Sequence, residues 1–167
     1  NLDADTWSSP TLRTLTLNVD WRAPSAEAFA KFFSRAQMLR HLSISGPIDQ
    51  RHLSALSQLT SLRSLDLSQL HSPDNTLGLG FTASLTRLKR LKLRWQFTRL
   101  GPLRHLPRLR HLTLSGAELD DAVLGKRLSA VPSLRSLRLE GLAQVNGRFL
   151  RELANLPDLS SVALIEC

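Results

Sequence analysis

The run Leu106 to Leu114, LPRLRHLTL, followed by Ser115-Gly116-Ala117, decides how the remainder of the chain is read. Its leucines stand at offsets 0, 3, 6 and 8. A helix cannot use that set for long. The last two leucines are two residues apart, which is the spacing that puts alternate side chains on one face of a strand. Pro107 also opposes a continuous helix, because its ring blocks the preceding backbone and removes a donor. The stretch predicts a turn entering a short strand, with Leu112 and Leu114 on one buried face.

The frame recurs six more times. It stands as Leu59-Leu62-Leu65-Leu67, Leu85-Leu88-Leu91-Leu93, Val131-Leu134-Leu137-Leu139 and Leu156-Leu159-Val162-Leu164. Weaker copies are Ala36-Leu39-Leu42-Ile44 and Ser9-Leu12-Leu15-Leu17. With the second member as marker, successive copies lie 27, 23, 26, 21, 25 and 25 residues apart. An LxxLxL core at a period in the twenties resembles the leucine-rich-repeat superfamily, and the resemblance covers the whole chain. The fold it implies is an α/β solenoid: a curved arc of seven parallel inner strands joined by helical or irregular outer connectors. Residues 1–167 form a single domain of about seven repeats on this reading.

The connectors differ in kind. Ser25 is placed to cap a helix that buries Phe29, Phe32 and Phe33, and Asp49 one that buries Leu53, Leu56 and Leu59. Pro73, Asp74, Asn75, Gly78 and Gly80 predict turns after the third strand, and Gly101-Pro102 leaves room for about one helical turn after the fourth. Asp120 or Asp121 caps a helix burying Val123, Leu124 and Leu128, and Asn146 precedes one carrying Phe149, Leu150 and Leu153. Before the first strand, NLDADTWSS is short and polar and does not look like a cap. The last residue, Cys167, sits three beyond the final motif leucine. Stacks of this type close their ends with polar repeats, so the expectation is a fragment of a larger protein or an end covered by a partner.

The wording LPxLxxLxLxxC carries a finer resemblance. LPRLRHLTLSGA, VPSLRSLRLEGL and LPDLSSVALIEC are similar to the repeats of F-box substrate receptors and of plant-type intracellular immune receptors. The consensus slot after each strand holds Asp20, Pro47, Leu70, Gln96, Ala117, Leu142 and Cys167, so the asparagine ladder of many extracellular repeats is missing. No F-box, nucleotide-binding or signalling domain stands in these residues.

Composition narrows the partners. The chain has 22 Lys+Arg against 14 Asp+Glu, a net charge of +8 and a pI near 11.2. That excess favours acidic partners, whether nucleic acid, an anionic membrane or an acidic protein face; the alternative is arginine decorating exposed scaffold positions. One cysteine excludes an internal disulfide, and no Asn-x-Ser/Thr sequon is present, which together point to an intracellular setting, cytoplasmic or nuclear. No apolar run approaches a membrane span, and no signal peptide is visible.

On each strand the residues alternating with the leucines face away from the core. The first such column is Thr14, His41, Ser64, Arg90, His111, Ser136 and Ser161. The second is Thr16, Ser43, Asp66, Lys92, Thr113, Arg138 and Ala163, and the third Asn18, Ser45, Ser68, Arg94, Ser115, Glu140 and Ile165. Most of this surface is small and neutral. The fourth repeat differs, with Arg90, Lys92 and Arg94 beside Trp95, His111 on the next strand and Arg138 two strands away. This basic patch suits carboxylates or phosphate, which guanidinium groups bind bidentately; a solvated patch is the alternative. A second column follows the marker leucine: Arg13, Arg40, Arg63, Lys89, Arg110 and Arg135. It lines one rim of the arc with charge, and repeat duplication alone accounts for it.

Catalysis finds little support. The five histidines lack metal spacing with acids or cysteine, and no Gly-rich phosphate loop or nucleophile elbow occurs. No cofactor is expected. The sequence therefore predicts a non-enzymatic protein-interaction scaffold that holds a partner, for instance by an acidic segment, on its concave face. The patch of Arg90, Lys92, Arg94, Trp95, His111 and Arg138 is the candidate site. The alternative is a basic structural subunit of a ribonucleoprotein, its rim set against RNA phosphates. With three Trp, six Phe and no Tyr, base stacking is poorly supplied and backbone contact would dominate.

Overall fold

A computed structural model describes residues 11–20, 25–71, 77–94, 100–116 and 119–167. Seven strands follow the predicted frame: β1 Thr14–Asn18, β2 His41–Pro47, β3 Ser64–His71, β4 Arg90–Arg94, β5 His111–Ser115, β6 Ser136–Glu140 and β7 Ser161–Ile165. They form one open sheet in sequence order, every neighbouring pair parallel. Parallel neighbours need a crossover, and each is supplied by the segment between repeats. The crossovers contain α1 Ala26–Arg35, α2 Gln50–Ala55, α3 Asp121–Leu128 and α4 Leu150–Leu153, with 3₁₀ turns at Leu56–Gln58, Gly80–Ser84 and Gly101–His105. The connectors also pack on one another in chain order. This is the architecture of a leucine-rich-repeat solenoid.

Leucine alternation drives the assembly. Leu42, Leu65, Leu91, Leu112 and Leu137 pair in register across five strands, each 2% exposed or less. Each leucine fully buried contributes about 1.5–3 kcal/mol, so the stack is the main source of stability. At the open edges the same positions are less covered. Val162 and Leu164 on β7 are 38% and 41% exposed, because β7 has a strand on one side only.

The helix caps are mostly as the residues predict. Ser25 accepts from Ala28 N at 3.2 Å, and Phe29, Phe32 and Phe33 are buried with edge-to-face rings. Asp49 accepts from Arg51 N and His52 N, and Leu53, Leu56 and Leu59 are sealed beneath. Asp120 rather than Asp121 caps α3, through Val123 N at 2.8 Å. That sets the phase of the helix: Leu124, Gly125 and Leu128 turn inward, whereas Val123, expected in the core, is exposed. Leu150 is likewise exposed, while Phe149 and Leu153 are buried.

Asp121 is free to do something else. Its carboxylate accepts from Asn146 N at 2.9 Å and Phe149 N at 3.1 Å, tying α3 to the next connector. The Asn146 amide is the main reason its pKa lies below the ordinary 3.8, with Phe149, Gly147 and Arg148 amides adding to it against a desolvation effect that raises it.

Two predictions follow from these constraints. Gly46 has φ 106°, and a Cβ there would lie 1.9 Å from the Val19 carbonyl oxygen. Gly46→Ala is expected to cost more than about 1 kcal/mol, whereas Gly80→Ala, which meets nothing within 4 Å, should shift the thermal midpoint little. Equal midpoints for the two variants would refute the assignment. For Asp121, the depressed folded pKa means a contribution present above pH 3.8 and lost as pH falls through the folded value. Asp121→Ala should lower the melting temperature at neutral pH, and its gap to the parent protein should close in acid.

Candidate functional site

The strand ladder fixes where each candidate side chain stands. Arg90, Lys92 and Arg94 alternate with the buried Leu91 and Leu93 on β4, so all three face away from the core. Arg90 pairs with His111 of β5 and Ser64 of β3. Lys92 lies between Asp66 and Thr113, and Thr113 between Lys92 and Arg138. Arg90, Lys92, Arg94, His111 and Arg138 therefore share one face over three strands, about 10 Å wide at ordinary strand spacing. Trp95 lies outside the described residues.

Carboxylates occupy part of this face. Lys92 Nζ is 3.3 Å from Asp66 Oδ2, one strand back in the same row. Arg138 pairs with Glu140, two residues on along β6. Both pairs are solvent-exposed at their cations, so they are worth little to stability, on the order of 0–1 kcal/mol. Their effect is on charge: two of the four strong cations are balanced locally. Arg90 and Arg94 have no ion pair among the described residues. The net positive character of the face resides in those two.

Arg94 owes its setting to an irregularity that the strand pattern does not show. After Ser43 pairs with Asp66, the register slips, and Ser45 pairs with Gln69 instead of Ser68. Asp66 stands at this slip. Its Oδ1 accepts from Ser68 N at 3.0 Å and from Ser68 Oγ at 2.6 Å, so it takes a backbone donor that a regular ladder would use. The third column thus holds Gln69 in the β2 register, and β3 pairs with β4 only as far as Leu67 with Leu93. Arg94 has a strand partner in Ser115 and none on β3. Ser68, Lys92, Thr113, Ser115, Arg138 and Glu140 line a hollow of about 290 Å³ on this face.

His111 reports the local potential. Partial desolvation, followed by the charges of Arg90, Arg110 and Arg135, holds its pKa below the ordinary 6.5. Arg110 and Arg135 belong to the rim column after the marker leucines. The face and the rim therefore act on one imidazole. Both effects favour the neutral ring, which presents a hydrogen-bonding group.

Among the described residues, no three His, Cys, Asp or Glu side chains gather as metal ligands. No described helix is long and apolar enough to cross a membrane. Cys167, in the consensus slot after β7, is an exposed thiol directed at the Leu139 and Ile165 carbonyls.

No family model and no curated protein matches the sequence. Solved structures do resemble the fold. An internalin (inlF) from Listeria monocytogenes str. 4b F2365 aligns over 92% of this chain and 48% of its own, with a TM-score of 0.62 and 19% identity. The structure of a TLR13–ssRNA13 complex aligns over 93% of this chain and 36% of its own, with a TM-score of 0.42 and 13% identity. This chain spans about half the length of the internalin chain. At 19% identity that likeness concerns the fold alone.

The electrostatic assignment of His111 is directly testable. Arg90→Ala should move its pKa upward, toward 6.5, in a proton-NMR titration of the imidazole. An anionic ligand on the face should move it the same way and take up protons on binding. An unchanged titration in Arg90→Ala would mean that this arginine does not act on the ring.

Proposed function

We propose that this chain is a protein-interaction scaffold whose concave strand face holds an acidic segment of a partner protein. One observation carries the reading: β4 is the one described strand with a cation in all three outward positions, on a face otherwise built of serine, threonine and a few mixed residues. Small neighbours let an extended ligand approach closely. Arg90 and Arg94 then supply uncompensated forks for carboxylates on either side of the paired Lys92, while Asp66 on β3 and Glu140 on β6 place carboxylates at the flanks of the face. His111 donates or accepts beside Arg90. Trp95, adjoining Arg94 in sequence, completes the set as an apolar anchor.

The finer resemblance to F-box and immune-receptor repeats makes the partner an intracellular protein, a substrate in one case and a pathogen protein or neighbouring domain in the other. The single cysteine supports a reducing compartment. The ribonucleoprotein alternative draws on the rim column of Arg13, Arg40, Arg63, Lys89, Arg110 and Arg135.

A single pair of experiments separates the readings. Affinity capture with the parent chain should retain a partner that both Trp95→Ala and the Arg90/Lys92/Arg94→Ala triple variant lose, with binding weakened at least about tenfold. Mobility shift with mixed-sequence RNA at about 150 mM salt should show no micromolar complex. A steeply salt-dependent RNA complex that the triple variant abolishes would overturn the protein-partner reading.

A further inference from the structure

The rim carries a second basic feature, separate from the strand face and not dependent on the reading given to that face. Arg63, Arg87, Lys89 and Arg108 line one hollow of about 160 Å³. Arg63 and Lys89 follow the marker leucines of the third and fourth repeats; Arg87 and Arg108 precede those of the fourth and fifth. Among the described residues, no carboxylate comes within ion-pair distance of any of the four.

The chain itself shows what this geometry does when charges are complementary. Arg135 follows the marker leucine of the sixth repeat and Asp158 precedes that of the seventh, and the two form an ion pair at 3.3 Å. The residue before one marker is thus within reach of the residue after the previous marker. Arg63 with Arg87, and Lys89 with Arg108, occupy the same relation with cations on both sides. Copying of a basic repeat does not explain this. The position after the marker is basic in six repeats, but the position before it is Thr11, Met38, Ser61 and Ser133 in four repeats and Asp158 in another. Arginine stands there only where the hollow is.

We propose that Arg63, Arg87, Lys89 and Arg108 form a binding site for a phosphate monoester dianion. Four cations around one hollow repel one another, a bound counter-anion relieves that repulsion, and the three arginines cannot shed a proton to do so. A monoester presents three terminal oxygens and a charge near −2, matching several guanidinium forks better than the two free oxygens and single charge of a diester. The volume also fits. It equals about five water molecules' share of liquid, room for one compact oxyanion with a little solvent and not for a folded chain.

The test is a titration of the full chain with phenyl phosphate, inorganic phosphate and dimethyl phosphate at about pH 8, where the monoester is a dianion, and about 50 mM salt to limit screening. Binding is read from the arginine Nε–Hε NMR signals and from the rise in melting temperature. Phenyl phosphate and inorganic phosphate should bind saturably and dimethyl phosphate should not. Arg87→Ser and Arg108→Ser place residues that other repeats already hold in that column, and each should weaken binding about tenfold. Arg13→Ala, on the same rim but away from the hollow, should leave it unchanged. Arg108→Asp should abolish binding and raise the melting temperature, through a Lys89 pair equivalent to Arg135–Asp158. The proposal fails if the ligands do not saturate, if the serine variants bind as the parent does, or if Arg13→Ala weakens binding equally. Equal binding of dimethyl phosphate would assign the site to a phosphodiester backbone instead.

Discussion

One hydrogen-bonding pattern holds the molecule in register. The carbonyl of the residue after each marker leucine accepts two amides from the next repeat: Arg13 O from Arg40 N and His41 N, Arg40 O from Arg63 N and Ser64 N, and so on to Arg135 O from Ser160 N and Ser161 N, all between 2.8 and 3.1 Å. Each contact enters a new strand at the same height as the last. Leucine burial could be satisfied by several arrangements of a flexible chain, but a one-residue slip would turn every leucine outward. The carbonyl clamp removes that slip. It also requires that whatever side chain follows the marker be stacked beside its counterpart in the neighbouring repeat.

That requirement sets the electrostatics. Six basic residues at the clamp position are brought into a column at strand spacing, whether or not a ligand needs them. In water a unit-charge pair at 4 Å interacts by only about 1 kcal/mol, so a leucine stack of this size tolerates the repulsion. Where the column meets the strand face, one group can give way. His111, partly desolvated and beside Arg90, Arg110 and Arg135, is shifted toward its neutral form. Where it meets Asp158, Arg135 is paired. The four cations from Arg63 to Arg108 have neither relief among the described residues.

The fold was legible because its dominant force is written in one residue type. Strand, turn and crossover positions follow from where Leu recurs, and the three phenylalanines of α1 are buried as their spacing predicts. What was less legible depends on competition between a side chain and the backbone. Asp66 reads as one more outward residue of β3, yet its bonds to Ser68 put a bulge beside Arg94. Asp120 and Asp121 are equivalent as caps in the sequence; the use of one for α3 frees the other for the next connector and turns Val123 outward. The candidate face shows a different shortfall. Asp66 and Lys92 stand in the same column, and Glu140 follows Arg138 by two residues, so both ion pairs were readable once carboxylates were placed on the face along with the cations. Trp95 lies outside the described residues.

A repeat protein also contains its own controls, and these distinguish inherited charge from placed charge. A residue type present at one position in nearly every repeat needs no ligand, because duplication of the unit copies surface along with core. Arginine after the marker leucine is of that kind. Arginine before it is not, since that position varies in size and sign from Met38 to Asp158 and becomes basic in two consecutive repeats. The same comparison applies on the strand face. The first outward column runs through threonine, histidine and serine, and the second through threonine, serine and aspartate, before both turn basic together on β4. Charge that departs from the repeat's own pattern, at neighbouring positions and without an internal counter-ion among the described residues, as at Arg87 and Arg108, is charge that duplication of the unit does not account for.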